Sequence, residues 1–271
     1  MRTDRRDRPG GKPDPNPSRR VDPRPAGDLL YGRNAVAEAL GGRRRNRVLL
    51  LAEGVKEDDR IRRLTDLAAK NGVAVLRLPR GDLDRRTAFA NHQGVALESS
   101  AFPYTPFEEL TSTPGTILLL DHLQDPQNFG TLLRAAEATG VAGVVLPRDR
   151  SVDVTPAVVN ASSGAVEHLR VARVPNLMRA IEDLKSAGWW AAALDVGHDA
   201  VDLFRAQIPT PLALVVGAEG AGVTQNVRRH CDLVVSIPMV GRVASLNAAT
   251  AGAIALYELL RRAQIQDGQG D

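Results

Sequence analysis

The chain has 271 residues, 43% hydrophobic and 25% charged, the composition of ordinary soluble globular protein with room for two modest domains. No apolar run approaches the roughly 18 residues of a membrane helix, and the basic start MRTDRRDRPGGKPDPNPSRR has no apolar segment after it, so a membrane span and secretion are both unsupported. The single cysteine, Cys231, rules out an internal disulfide framework and fits a reducing cytosol; it is expected to be a small packing residue.

The net charge of +3 is unevenly distributed. Residues 1–26 carry +4, residues 27–105 another +4, and residues 106–271 carry −5. A polyanionic partner would therefore gain most from the N-terminal side, where Arg43, Arg44, Arg45 and Arg47 are followed by Arg60, Arg62 and Arg63. Each run alone could equally be a solvated helix face.

Residues 1–26 hold six prolines and almost no large apolar side chain, the composition of a disordered tail. Ala35, Val36, Ala39 and Leu40 then recur at helical spacing, Val48 to Leu51 reads as a buried strand, and Ile61, Leu64, Leu67 and Ala68 mark a second helix. Val73 to Leu76 and Val95 to Leu97 complete a small α/β unit over 27–100. Pro103, Pro106 and Pro114 punctuate a linker over 101–115. Across 116–264, strands at Ile117–Leu120, Val141–Leu146, Trp189–Leu194, Leu212–Val216 and Leu233–Ile237 alternate with helices at Phe129–Ala138, Leu177–Ala187 and Ser245 to about Arg262. Apolar strands separated by helices imply a mostly parallel sheet covered on both faces. Residues 265–271 read as a second disordered tail.

In such a sheet ligands bind beyond the carboxyl ends of the strands, and three of those loops are unusual. In DHLQDPQNFGTLLRAAEATG, Asn128 stands where a helix would be capped, Gly130 leaves the first turn uncovered, and Arg134 lies among aliphatic residues. Taken alone, this is also a capped helix with Arg134 paired to Glu137. In VVGAEGAGVT, Gly217, Gly220 and Gly222 allow close backbone approach, and Glu219 needs a donor or cation inside the turn. In SIPMVGRVASLNAATAGAIALYELL, Ser245 and Asn247 open a helix whose first turns are almost entirely small residues.

These three segments, in this order, resemble the three motifs of the SpoU/TrmH RNA ribose 2'-O-methyltransferases: Asn128 with Arg134, the turn from Gly217 to Gly220, and Ile237 to Met239 followed by Ser245 to Asn247. The N-terminal unit, with YGRNAVAEAL and NHQGVALE, is similar to the L7Ae/L30e-like RNA-binding domain of enzymes that methylate a guanosine ribose in 23S rRNA. The resemblance implies a trefoil-knotted α/β domain, a rare exception to unthreaded chains. It implies S-adenosyl-L-methionine held largely by main chain at Gly217, Ile237 and Leu246, a catalytic set of Arg134, Asn128, Glu219, Ser245 and Asn247, and no metal. It further implies ribosomal RNA as the partner, a homodimer, and action in the cytoplasm. Transfer RNA is the alternative substrate, and a non-catalytic RNA-binding protein of the same fold the alternative role. A nucleotide-dependent oxidoreductase is disfavoured, because the glycine turn is G-x-x-G-x-G rather than G-x-G-x-x-G. Guanidinium is effectively always protonated, so Arg134 reads as a stabiliser of a developing alkoxide, with Glu219 expected to pair with it. His92 reads as a structural turn residue.

Overall fold

A computed structural model describes residues 27–149, 151–220, 222–243 and 245–267; the tail expected over 1–26 lies outside them. The first unit comprises β1 (Asp28–Tyr31), α1 (Arg33–Gly41), β2 (Asn46–Ala52), α2 (Asp59–Lys70), β3 (Ala74–Leu78), α3 (Arg80–Arg86) and β4 (Val95–Ser99). Its four strands form one sheet in the order β1-β4-β2-β3, with β4 antiparallel to both neighbours. Alternate residues of β2 serve opposite faces: Leu49 and Leu51 pack with α1 and α2, Leu50 and Ala52 with Leu83 of α3. His92 is 2% exposed, its ring between the Asp84 carboxylate and the Gly94 amide, which makes it the turn residue the sequence suggested.

The second unit begins after the short helix α4 (Phe107–Leu110) and runs β5 (Thr116–Asp121), α5 (Pro126–Ala138), β6 (Gly143–Pro147), α6 (Pro156–Ala161), a 3-10 turn (Ala165–His168), β7 (Val171–Val174), α7 (Leu177–Ser186), β8 (Trp190–Leu194), β9 (Val201–Asp202), β10 (Leu212–Gly217), α8 (Gln225–His230), β11 (Leu233–Ser236) and α9 (Ala248–Asp267). Its seven strands are all parallel, in the order β7-β6-β5-β10-β8-β11-β9. The period of two again sorts the core. Leu118 and Leu120 of β5 face α5 and α9, whereas Ile117 and Leu119 face α7 and α8. The order reverses between β5 and β10, and the carboxyl edge between the loops leaving these two strands is where a sheet of this kind ordinarily has its crevice.

Several details differ from the sequence reading. The proline-punctuated stretch 101–115 is laid onto the second unit: Thr105 donates its amide to Val171, the Tyr104 hydroxyl accepts from Val154, and Leu110 is fully buried beside Gly143. The last helix begins at Ala248 rather than Ser245 and continues to Asp267, three residues into the segment expected to be a tail; 268–271 lie outside the described residues.

The two units are closely joined, and one apolar core includes residues of both. Arg44, which the sequence grouped with the polyanion-facing arginines, is instead a buried ion-pair residue. Its side chain is 0% exposed, its Nε lies 2.9 and 3.0 Å from the two carboxylate oxygens of Glu167, and its Nη1 reaches Asp28 and the Ser100 carbonyl. The same guanidinium sits 5.2 Å from the Phe102 ring centroid. Arg43, though exposed, donates to the Leu169 carbonyl, whereas Arg45 and Arg47 are exposed along with Arg60, Arg62 and Arg63 of α2, of which Arg62 pairs with Asp59.

Candidate active site

Beyond the carboxyl ends of β8, β10 and β11 lies a half-open cavity of about 220 Å³, walled by Gly217 to Gly220, by Ser236, Ile237 and Met239, by Ser245, Leu246, Ala248 and Ala251, and by Leu194 to Val196. Its floor is backbone-rich for a steric reason. A Cβ on Gly217 would lie 2.0 Å from the Gly222 carbonyl oxygen, so only glycine lets the turn fold back on itself.

Asn128, Glu219 and Asn247 form one hydrogen-bonded chain across the crevice. The Asn247 amide donates to the Asn128 side-chain oxygen at 2.8 Å, and the Asn128 amide donates to Glu219 Oε2 at 2.9 Å. The donor Glu219 needed is therefore Asn128 and not Arg134, which corrects the expected Arg134–Glu219 pair. The reason lies in helix geometry: Asn128 occupies the first turn of α5 beside the glycine turn, whereas Arg134 is nearly two turns further along. Nor does Asn128 cap α5. Asp125 does, accepting the Asn128 amide at 2.8 Å, and this frees the Asn128 side chain to span the crevice. Asn247 plays both parts, since its side-chain oxygen accepts from Ala249 and Thr250 while its amide reaches Asn128.

Arg134 is exposed, with one side-chain partner, the Ser163 hydroxyl 3.4 Å from Nη1. Neither Glu137 nor Glu219 pairs with it among the described residues. Gly130 serves packing rather than ligand access: a Cβ there would lie 2.4 Å from the Ala161 Cβ, so α5 rests directly on α6. Ser245, Leu246, Ile237, Gly217 and Glu219 all line the cavity.

Two carboxylates of the site went unread in the sequence. Asp121, 1% exposed at the end of β5, accepts the Thr224 amide at 2.7 Å and so fastens the glycine turn to the first loop. Asp195, directly after β8, lines the cavity, accepts the Val196 amide and holds Arg228 at 3.1 Å. Each is an acidic residue closing an aliphatic strand, a signal present in the sequence. Cys231 is half-buried, and burial pushes its thiol up to about 12, which fits the packing role.

Comparison with known proteins accords with this geometry. Residues 115–257 match the SpoU rRNA Methylase family, and residues 29–105 match the domain described as RNA 2'-O ribose methyltransferase substrate binding. A Staphylococcus aureus protein named as a TrmH family tRNA/rRNA methyltransferase is 38% identical over 240 residues, 86% of this chain and 96% of the relative. A Synechocystis protein named as a tRNA/rRNA methyltransferase is 38% identical over 241 residues, and the aligned region spans 87% of this chain but only 62% of that longer relative. The crystal structure of an AdoMet-bound rRNA methyltransferase from Sinorhizobium meliloti superposes with a TM-score of 0.74 at 26% identity, covering 88% of each chain. The chain belongs to the SpoU rRNA methylase family of RNA methyltransferases and carries that family's substrate-binding domain ahead of its catalytic fold.

Proposed function

We propose that this RNA methyltransferase transfers the methyl group of S-adenosyl-L-methionine to a ribose 2'-hydroxyl of ribosomal RNA, with a guanosine of 23S rRNA as the target, and acts as a cytoplasmic homodimer. The observation that carries the reading is the Asn247–Asn128–Glu219 chain beside a glycine-walled cavity at the carboxyl edge of a parallel sheet. The cavity fits the methyl donor in kind. Gly217, Ile237 and Leu246, the positions at which the reading puts main-chain contacts to an adenine and ribose, line it, and the Glu219 carboxylate on its wall complements a ligand carrying an ammonium and a sulfonium. When bound, that ligand supplies an electrophilic methyl group.

The chain's own contribution is orientation and electrostatics. In-line transfer gains much of its rate from holding the reactants in register. Asn128 is fixed from both sides by Asn247 and Glu219, so the first turn of α5 presents a rigid edge; in this reading Ser245, on the cavity wall, and Asn247 hold the ribose. Arg134, exposed on α5, is a guanidinium cation that in this reading stabilises the oxygen as its proton leaves to water or a phosphate oxygen. The reading includes the trefoil knot of the family. Its support is the strand order, in which β10 enters the sheet between β5 and β8.

Mapping 2'-O-methyl sites in RNA from a strain lacking the gene, with and without complementation, tests the substrate. Loss of one ribose methyl in 23S rRNA is the expected result. A loss confined to transfer RNA would move the target there.

A further inference from the structure

We propose that Ser163 is a positioning residue that ties Arg134 to the docked N-terminal domain, so that seating of the RNA-binding unit sets the arginine for transfer. The inference rests on the assignment of Arg134 above and deepens it.

The turn between α6 and the 3-10 segment touches both units. On one side Gly164 meets α1: a Cβ on Gly164 would lie 2.6 Å from the Glu38 Cβ and 3.2 Å from the Ala35 Cα. On the other side α5 sits on the same turn, with Gly130 against Ala161 and the Ser162 amide. Three polar contacts pin the turn to the N-terminal unit: Glu167 to Arg44, His168 to Glu38 at 2.8 Å, and the Asn160 amide to the Tyr31 carbonyl at 3.1 Å.

Ser163 stands between these contacts with φ of 54°, a left-handed conformation uncommon for serine. Asparagine or glycine would adopt it at less cost. Serine there holds its hydroxyl 3.4 Å from Arg134 Nη1, the one side-chain partner Arg134 has among the described residues. A backbone outlier beside a catalytic group is a recurrent sign that position has been favoured over local stability. A movement of α1 relative to the second unit would carry Gly164 with it, and hence the Ser163 hydroxyl.

The test compares full-length Ser163→Gly, Ser163→Asn and Glu167→Gln proteins with the wild type, measuring melting temperature, kcat and KM for both substrates. Glycine relieves the left-handed backbone and removes the hydroxyl. A purely structural serine therefore predicts equal or better performance from Ser163→Gly. The proposal predicts a melting temperature at or above wild type together with a kcat about 10- to 100-fold lower and KM unchanged, because a lost hydrogen bond misplaces a charged group. Ser163→Asn, which tolerates the backbone and keeps a polar group, restores most of the rate. Glu167→Gln lowers kcat in the wild-type background but not further in the Ser163→Gly background. Wild-type kcat in Ser163→Gly, or fully additive losses in the double variant, would overturn the link. The Arg134 Nε–H resonance of 15N-labelled protein gives a readout independent of turnover: it shifts in both Ser163→Gly and Glu167→Gln if the link holds. A wild type that transfers no methyl group sinks the functional reading, and that resonance still decides this one.

Discussion

Replacing Arg44 by Met probes how the two domains are held together. Arg44 lies within contact of two carboxylates, but these are unequal: Asp28 is 25% exposed and keeps access to water, whereas Glu167 is 1% exposed and has none. Removing the guanidinium thus strands one buried carboxylate, a change that costs about 3–5 kcal/mol. For a chain of this size that corresponds to a fall in melting temperature of roughly 6–20 °C. The loss should depend on pH in a definite sense. Burial pushes Glu167 above its ordinary 4.5, and Arg44 is the main group opposing that rise. Without Arg44 the folded-state value climbs further. A carboxyl raised in the folded state contributes stability that is fully present below its unfolded value and is lost as pH rises through the folded value. Wild type and Arg44→Met lose stability alike as pH rises to the wild-type folded value of Glu167, so the pH-dependent part of the deficit should grow only above that value, by up to about 1.4 kcal/mol per pH unit, until the variant's higher folded value is passed. Urea unfolding at pH 5 and pH 8 measures this, and Arg44→Met/Glu167→Leu should recover most of the loss at pH 8. A deficit under about 1 kcal/mol, equal at both pH values, would refute the reasoning, since that is the worth of an exposed pair.

Changing Arg134 to Ala should abolish turnover while leaving S-adenosyl-L-methionine affinity nearly intact by calorimetry, since the cavity is lined by Gly217, Ile237 and Leu246 and not by Arg134. Gly217→Ala should do the reverse first, weakening cofactor binding at least tenfold, because its Cβ would meet the Gly222 carbonyl. Neutralising the exposed Arg60, Arg62 and Arg63 together should weaken RNA binding and lower the slope of log affinity against log salt by about two to three, whereas a protein starting at Gly27 should lose only a sequence-independent share; an unchanged slope in the triple variant would mean that α2 does not face RNA. Cys231, with its thiol pushed up to about 12, should resist iodoacetamide at pH 8 in native protein.

What the sequence disclosed follows from how much apolar patterning each element carries. Long aliphatic strands such as Leu212–Gly217 and amphipathic helices such as Leu177–Ser186 announce themselves, and the parallel sheet follows from their alternation. Two-to-four-residue elements do not: Asp28–Tyr31, Val171–Val174 and Val201–Asp202 are held by neighbours far along the chain and have too few residues for a period. The three motifs put Asn128, Glu219 and Asn247 in segments that the fold brings together, but which one pairs with which depends on the depth of α5 relative to the glycine turn. Asp125 carries the cap that Asn128 was expected to supply, a one-turn shift that no spacing rule separates. Arg44 looks like its three neighbours in a basic run. Only the fold reveals that Glu167, 123 residues away, removes it from the surface.

The most direct test of the functional account is methyl transfer itself: purified protein, S-adenosyl-L-methionine labelled in its methyl group, and unmodified 23S rRNA, followed by nuclease digestion and separation of the nucleosides. The account predicts label in a single 2'-O-methylated nucleoside, guanosine, and none with Arg134→Ala. Label on a base, or no transfer to any RNA by protein that binds the methyl donor, would contradict it.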